Sequence, residues 1–358
     1  MDISNINTTR VRELRQFKLF NDRVEFPLRL LPYIETFLGD KTEVFINGIT
    51  CNIDSSIIIP DSLDIIELLE EVQINQYNLD IWYPKLPPLM TFESVLIPLT
   101  VDDIDEIVRI GKLLKWREWQ PIDYDNIHNL YERIQTVIDH HLSKFNSFFL
   151  RTNTVSPKDV CIGSYDLNNA NYIDSVRQNS YAKGPLKRLC VRTADEVLYI
   201  LTNSRRVINS MNELSRATRC NFFIVLRDWL PDLPYEFEFR CFVYKGKLTA
   251  ISQYDWVKYC ELFQSDEVKK WIVSKIVAFW EATKDIICGI YSDCIMDLII
   301  TDHPSVDCKY PTYNNLGVIL IEFNPFGGEL ISGSALFGWE KDYDIIYIVK
   351  IQLNQFLK

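Results

Sequence analysis

The sequence predicts an α+β fold with antiparallel sheets, and three observations support that prediction. Apolar segments of strand length alternate along the chain with amphipathic segments of helical period. Two-residue turn signals, Asn47-Gly48 and Lys245-Gly246, lie between neighbouring strand segments, as they do in antiparallel hairpins. The chain has 358 residues, 47% of them hydrophobic, which is enough for about two domains of ordinary globular composition.

Helices are predicted where apolar residues recur at the helical period or where a capping sequence opens the segment. Asp61 can cap one helix, and Thr193 with Glu196 has the form of a capping box that opens another. The predicted helices cover residues 8–20, 61–73, 125–145, 193–209, 266–287 and 342–356.

Strands are predicted where short apolar segments rich in β-branched and aromatic residues lie between turn signals. The first two form a hairpin in the amino-terminal part of the chain, and most of the others lie in the carboxy-terminal half. The predicted strands cover residues 43–46, 49–53, 148–150, 222–229, 237–243, 248–253, 294–300 and 318–323.

Charge and composition disfavour several classes of protein. Lys and Arg number 38 against 49 Asp and Glu, and a net charge of −11 repels nucleic acid. No apolar run approaches the roughly 18 residues that span a bilayer, and the polar amino end does not resemble a signal peptide. Nine scattered cysteines without a C-x-x-C pair indicate neither a disulfide framework nor a zinc site. We therefore expect a cytoplasmic protein with no membrane partner.

Several familiar catalytic and phosphate-binding motifs are absent from the sequence. It contains no G-x-x-x-x-G-K-[ST] and no G-x-G-x-x-G, so a P-loop or a Rossmann phosphate cradle is excluded. There is also no G-x-S-x-G, which argues against the common acyl-transfer hydrolases. Any nucleotide is therefore held in another way.

Carboxylates interrupt two strands that are otherwise apolar. Glu322 and Asn324 project from the same face of their strand because side chains alternate with a period of two. Asp297 lies inside another apolar strand. A buried carboxylate costs several kcal/mol unless it is paired or binds a cation. Because two carboxylates and an amide oxygen suit Mg²⁺, these three residues are the predicted metal ligands.

An alternative is that arginines pair with these carboxylates, or that the carboxylates lie on a solvated face. Arg240 shares a strand face with Glu238 and can either pair with a carboxylate or hold phosphate oxygens. Arg227 is a further charge among apolar neighbours. The sequence favours core packing for Trp229, although its ring could also cover a base.

Six blocks of sequence, in order, resemble the cell division cycle protein 123 family. Together they span roughly residues 80–340. The blocks are WYPKLPPLMTFESVLIPL (82–99), FFLRTNTVSPKDV (148–160), FIVLRDW (223–229), EFRCFV (238–243), ISQYDW (251–256) and IEFNPFG (321–327).

The resemblance implies an ATP-grasp fold, in which two lobes with antiparallel sheets clamp ATP. Residues 1–80 would be a helical and hairpin extension, 81–220 the amino-terminal lobe, and 221–358 the carboxy-terminal lobe with the metal site. We also expect a monomer. The positions implied to bind ATP are Arg151, Ser156, Val225, Leu226, Arg227, Trp229, Arg240, Asp297, Glu322 and Asn324, the last three through Mg²⁺.

The chain departs from the family pattern at four places. Arg151 stands where the family has a lysine that reaches the phosphates, which keeps the charge and changes the donor geometry. Glu322 replaces a usual aspartate, and Tyr254 stands where arginine is common. The phosphate-covering loop reads Val155-Ser156-Pro157 in place of Ser-Ala-Pro.

The resemblance further implies an ATP-dependent assembly chaperone that binds the gamma subunit of eukaryotic translation initiation factor 2. One alternative is an ATP-dependent ligase that activates a carboxylate as an acyl phosphate and passes it to an amine. A further alternative is covalent nucleotidyl transfer to RNA, which requires a lysine nucleophile at the position that Arg151 occupies. An inactive ATP-grasp lobe that only binds protein is the fourth interpretation.

Overall fold

The computed structural model of the protein describes residues 43–46, 49–52, 74–114, 127–160, 189–211, 221–230, 233–255, 259–303, 310–327, 333, 335–339 and 341–347. The chain divides into two compact units, one of residues 1–76 with 212–220 and one of residues 77–211 with 221–358. The helices predicted over 8–20 and 61–73 lie outside the described residues.

In the first unit the structure describes a β-hairpin. Strand β1 (Glu43–Ile46) pairs antiparallel with β2 (Ile49–Asn52), and Ile46 lies opposite Ile49 across the turn. The two residues between the strands are Asn47 and Gly48. The hairpin predicted from that turn signal is therefore confirmed.

The first sheet of the second unit has four antiparallel strands in the order β3-β6-β4-β5. Strand β6 is one of the two inner strands, and its residues Ile224, Val225 and Leu226 are buried. Strands β3, β4 and β5 precede residue 220 in the chain, and β6 follows it. The domain boundaries predicted at residues 80 and 220 stay predictions. The four strands are β3 (Ser94–Pro98), β4 (Phe148–Thr152), β5 (Cys190–Val191) and β6 (Phe223–Asp228).

Helices α1 (Leu79–Trp82), α2 (Val101–Leu114), α3 (His128–Phe145), α4 (Ala194–Asn203) and α5 (Arg205–Ser210) belong to the same unit. Helix α4 begins at the predicted capping box, in which the Thr193 hydroxyl accepts from the backbone N–H of Glu196. The helix expected to continue to residue 209 is broken at Ser204. This residue has an extended backbone, and its hydroxyl caps α5 by accepting from the N–H of Val207.

The second sheet has four antiparallel strands in the order β10-β9-β7-β8, and helix α6 (Asp266–Cys288) packs on one of its faces. Strands β7 and β8 form the predicted hairpin. Lys245 and Gly246 at its turn both have positive φ, which a tight hairpin turn requires. The strands are β7 (Glu238–Tyr244), β8 (Lys247–Gln253), β9 (Cys294–Ile300) and β10 (Val318–Asn324).

A register shift in β10 decides which residue lies opposite Asp297. Leu320 pairs with Leu298 and Glu322 pairs with Asp297, so Ile321 is an extra residue in the strand. Beyond this bulge Phe323 is buried in the core. Glu322 therefore projects from the opposite face of β10, directly across from Asp297.

A smaller aromatic core covers part of the second sheet and includes helix α7 (Tyr343–Ile346). This helix is the described part of the helix predicted over 342–356. In the described residues, no helix is both long and apolar enough to cross a membrane. The second unit thus has the mixed helical and antiparallel architecture that the sequence predicts.

Candidate functional site

Side chains from both sheets of the second unit line one cleft of about 650 Å³, including its open mouth. Its lining combines charged residues with aromatic and aliphatic ones. The lining residues are Phe92, Phe149, Arg151, Ser156, Lys158, Arg227, Asp228, Trp229, Leu230, Leu233, Tyr235, Glu238, Ile299, Ile321 and Glu322.

A row of charged residues crosses the second sheet at the base of the cleft. Asp297 in β9 lies between Arg240 in β7 and Glu322 in β10. Arg240 binds Asp297 with two hydrogen bonds, Nε to Oδ1 at 2.8 Å and Nη2 to Oδ2 at 2.7 Å. Asn324 Nδ2 also donates to Asp297 Oδ2, at 3.0 Å. Both oxygens of the fully buried Asp297 carboxylate therefore accept hydrogen bonds from its neighbours.

The burial of this ion pair affects both partners. Burial is the largest influence on Asp297 and raises the pKa of its carboxyl, against the attraction of Arg240. Burial also disfavours the charged form of Arg240, but its bonds to Asp297 outweigh that effect and raise its pKa.

Two arginines of the first sheet reach across to the second. Arg151 in β4 donates from Nη1 to Glu322 Oε2 at 2.7 Å, and its Nε binds the Thr152 carbonyl at 2.9 Å. Arg227 in β6 donates to the Ile321 carbonyl at 2.8 Å. These hydrogen bonds join the walls of the cleft at the bulge of β10.

Arg227 is held by neutral acceptors instead of a carboxylate. Its Nη2 donates to the Thr91 hydroxyl at 2.7 Å and its Nε to the Ser94 hydroxyl at 3.2 Å, and its guanidinium carbon lies 5.0 Å from the centre of the Phe92 ring. Burial, and then repulsion from Arg151, lower the pKa of Arg227 to about 9. It therefore still carries a positive charge at neutral pH.

The pKa of Glu322 shifts in the opposite direction from that of an acid whose only perturbation is burial. Its burial alone would raise the pKa, but the attraction of Arg151, followed by that of Lys158, lowers it to about 2. Glu322 is therefore ionised across the physiological range.

Lys158, Glu238 and Tyr254 form a second group that the sequence prediction missed as site residues. The ammonium of Lys158 lies 5.6 Å from the centre of the Tyr254 ring, and the Arg240 guanidinium lies 5.0 Å from the same ring. Burial raises the pKa of Glu238 to about 8, although Lys158 opposes this shift. The sequence feature that could have identified Glu238 is the strand face that it shares with Arg240. For Lys158, that feature is its position two residues after the predicted site residue Ser156.

The apolar side of the cleft contains an aromatic stack. The Trp229 and Phe149 rings are nearly parallel, with centroids 6.3 Å apart. Trp229 is half-buried and lines the cleft, so the core packing favoured from the sequence is wrong. Leu230, Leu233 and Tyr235 lie on the same lining. This side offers flat apolar surface to a ligand.

The predicted site residues fall into three groups. Arg151, Ser156, Arg227, Trp229 and Glu322 line the cleft. Arg240, Asp297 and Asn324 form the connected cluster at its base. Val225 and Leu226 are fully buried and are not part of the lining.

The arginine pairing that the sequence left open is present at both carboxylates. Among the described residues there is no group of three or more His, Cys, Asp or Glu side chains placed to hold a metal ion. The predicted metal set has two carboxylates and one amide, so its role in metal binding stays a prediction.

The fold and the cleft define a mixed helical and antiparallel-sheet protein with a charged site between two sheets. The family model described as D123 matches residues 182–344. A CDC123-like protein of Acanthamoeba polyphaga mimivirus is 27% identical over 286 residues, which are 78% of this chain and 74% of that protein. The family-model match and this relative support the resemblance to the CDC123 family that the sequence blocks indicated.

Two further relatives are more distant or shorter matches. A translation initiation factor eIF2 assembly protein of Danio rerio is 32% identical over 123 residues, which are 34% of this chain and 30% of that protein. The structure of Cdc123 from Schizosaccharomyces pombe matches with a TM-score of 0.52 and 18% identity, covering 81% of this chain and 96% of that chain. This structural likeness shows the fold.

Proposed function

We propose that this protein binds ATP with Mg²⁺ in the cleft, in the manner of a two-lobed ATP-grasp protein, and assists the assembly of translation initiation factor 2 through its gamma subunit. One observation supports the nucleotide site above all others. Arg151 of one sheet donates to the partly buried Glu322 carboxylate of the other inside a single cleft, and Arg227 lines the same cleft.

The cations supply the charge that a polyphosphate needs. Arg151, Lys158 and Arg227 all line the cleft, although the chain as a whole carries a net charge of −11. Guanidinium groups bind phosphate oxygens with paired, directional hydrogen bonds, and an ammonium adds a compact charge. The same lining carries Asp228, Glu238 and Glu322, so the cations act as directed donors to a small anionic ligand and do not make the cleft a broad positive surface for nucleic acid.

The donor chemistry of the opposite wall fits Mg²⁺. Asp297 and Glu322 lie opposite each other on paired strands, and Asn324 adds an amide on the same side of β10. Mg²⁺ prefers oxygen ligands and usually keeps phosphate and water in its shell. These three side chains would hold the ion, which would neutralise charge on the phosphates.

The aromatic side of the cleft suits a base. Trp229 and Phe149 present stacked rings beside the charged centre. Flat aromatic surface next to a cationic centre matches a molecule with a planar ring at one end and phosphates at the other.

The partner is proposed from the relatives. The Danio rerio protein is named as an eIF2 assembly protein, and it matches this chain at 32% identity over 123 residues. The ligase alternative uses the same nucleotide site and adds an acceptor amine.

Calorimetric titration tests the nucleotide site directly. ATP with Mg²⁺ should bind the wild type, and Asp297→Asn and Glu322→Gln should each weaken that binding at least about tenfold, or about 1.4 kcal/mol. Asp285→Ala removes an exposed acid on α6 and is the matched control. Failure of the wild type to bind ATP would overturn the nucleotide proposal.

Pulldown with the purified gamma subunit tests the partner. We expect a complex that depends on ATP, and its absence both with and without ATP would contradict the assembly role. The ligase alternative instead predicts release of ADP and phosphate when a peptide or amine acceptor is supplied.

A further inference from the structure

We propose that Arg151 and Arg240 are internal counter-ions of the predicted metal ligands, so that the cleft takes up a divalent cation and a polyphosphate together and binds neither of them tightly alone. This inference rests on the proposed function and concerns the order and coupling of binding at that site. Its basis is the set of bonds that already occupy the two carboxylates.

Asp297 has no oxygen without a donor. Arg240 binds both oxygens, and the Asn324 amide donates to Oδ2 as well. Oδ1 accepts one hydrogen bond and Oδ2 accepts two, so a metal ion at this carboxylate meets the charge of the guanidinium and displaces it if it takes both oxygens. Arg240 is 9% exposed, so it would then lie among buried groups without its anion. Leaving a buried charge unpaired is strongly unfavourable.

Glu322 is occupied from the opposite wall. Arg151 binds its Oε2 across the cleft, and Arg151 is only 6% exposed. A divalent cation that arrives alone at Glu322 meets this guanidinium at close range and must displace it. Both predicted ligand carboxylates therefore carry a resident cation, and a lone metal ion would have to compete with both.

A polyphosphate alone meets the reverse problem. Its oxygens would have to draw Arg151 and Arg240 away from Glu322 and Asp297, and each carboxylate would then face the new anion without the guanidinium that pairs with it. When the two ligands arrive together, the phosphates replace the carboxylates at the guanidinium groups and the metal replaces the guanidinium groups at the carboxylates. No buried charge then loses its partner.

Backbone anchors make such an exchange a small movement. Arg240 Nη1 donates to the Gly333 carbonyl at 2.6 Å, and Arg151 Nε donates to the Thr152 carbonyl at 2.9 Å. Each guanidinium can keep this bond while its other nitrogens change partner. The Tyr254 ring, 5.0 Å from the guanidinium of Arg240, also holds that group near the cleft.

Manganese electron paramagnetic resonance tests the coupling, because Mn²⁺ is a paramagnetic substitute for Mg²⁺ and its free concentration can be read directly. The wild type should bind Mn²⁺ at least about tenfold more tightly with ATP present than without it. Arg151→Met should bind Mn²⁺ alone at least about tenfold more tightly than the wild type, because Glu322 has lost its resident cation. Arg151→Lys, which keeps the charge, should remain closer to the wild type.

Arg109→Met is the matched control, since it removes an arginine that pairs with Glu106 on the exposed face of α2 and should leave Mn²⁺ binding unchanged. Equal Mn²⁺ affinity of the wild type with and without ATP would overturn the inference. If the wild type binds no Mn²⁺ in either condition, the proposed function fails. In that case, tight binding of Mn²⁺ alone by Arg151→Met would still support the counter-ion role, and its absence would overturn that role too.

Discussion

The two arginine–carboxylate pairs of the cleft are alike in bond length and different in their place in the fold. Arg240 and Asp297 belong to neighbouring strands of one sheet and make two hydrogen bonds, and the Asp297 side chain is 1% exposed. Arg151 and Glu322 come from different sheets and make one, and the Glu322 side chain is 20% exposed. The first pair therefore supports one sheet, whereas the second links two sheets and can be exchanged at lower cost.

The largest expected effect is the loss of Asp297. Asp297→Ala leaves Arg240 buried without its anion, and we expect it to lower the free energy of unfolding by about 3–5 kcal/mol. Denaturant titration measures this loss. The double variant Asp297→Leu with Arg240→Met removes both charges and should recover most of it. A loss below about 1 kcal/mol for the single variant would mean that the pair does not support the sheet.

A smaller effect is expected at Glu238, a carboxylate of the same wall that no arginine binds among the described residues. Its pKa is raised to about 8, first by burial, so the folded protein holds a proton that the unfolded chain releases. Wild-type stability should therefore fall as the pH rises from about 5 through 8. Glu238→Gln cannot ionise and should lack this fall.

Thermal unfolding of both proteins at several pH values measures the difference at Glu238. One pKa unit corresponds to about 1.4 kcal/mol, and solvent screening at the mouth of the cleft reduces the effect. Between pH 5 and pH 9, we expect the free energy of unfolding of Glu238→Gln to rise by about 1–3 kcal/mol relative to that of the wild type. Parallel curves for the two proteins would rule out the raised pKa.

The smallest effect is expected at the pair that links the sheets. Its pKa of about 2 makes Glu322 stabilising above its ordinary value of 4.5, and this contribution is lost as the pH falls toward 2. We expect Arg151→Met to lower the free energy of unfolding by about 1–2 kcal/mol at neutral pH and by less near pH 3. Arg151→Lys should lose less. A loss that is independent of pH would show that packing, and not the ion pair, is responsible.

Local structure was largely predictable because it depends on near neighbours in the sequence. The capping box at Thr193 and the turn at Lys245-Gly246 form as predicted, since both rely on contacts within a few residues. The break at Ser204 was missed, because its capping bond to Val207 competes with continuation of a helix that the apolar pattern alone favours.

The candidate site was predictable in its residue types and less so in its connections. Buried charges inside apolar strands identified Asp297, Arg240 and Glu322 without any structure. The pattern left open whether the carboxylates bind a metal or arginines, and it missed Lys158, which lies outside any strand. Trp229 was assigned to the core because a large ring beside a buried strand usually packs there.

Among the described strands, the sequence by itself determined all except β3 and β5, and it also determined the turns and the charges that interrupt the apolar segments, because each depends on periodicity or on bonds between close neighbours. Only the tertiary structure decided which charges meet. Arg240 pairs with Asp297, which lies 57 residues further along the chain, and Arg151 pairs with Glu322, which lies 171 residues further along. The bulge at Ile321 aligns Glu322 with Asp297. Such pairings follow from sheet order and register, which are set by the packing of the whole core.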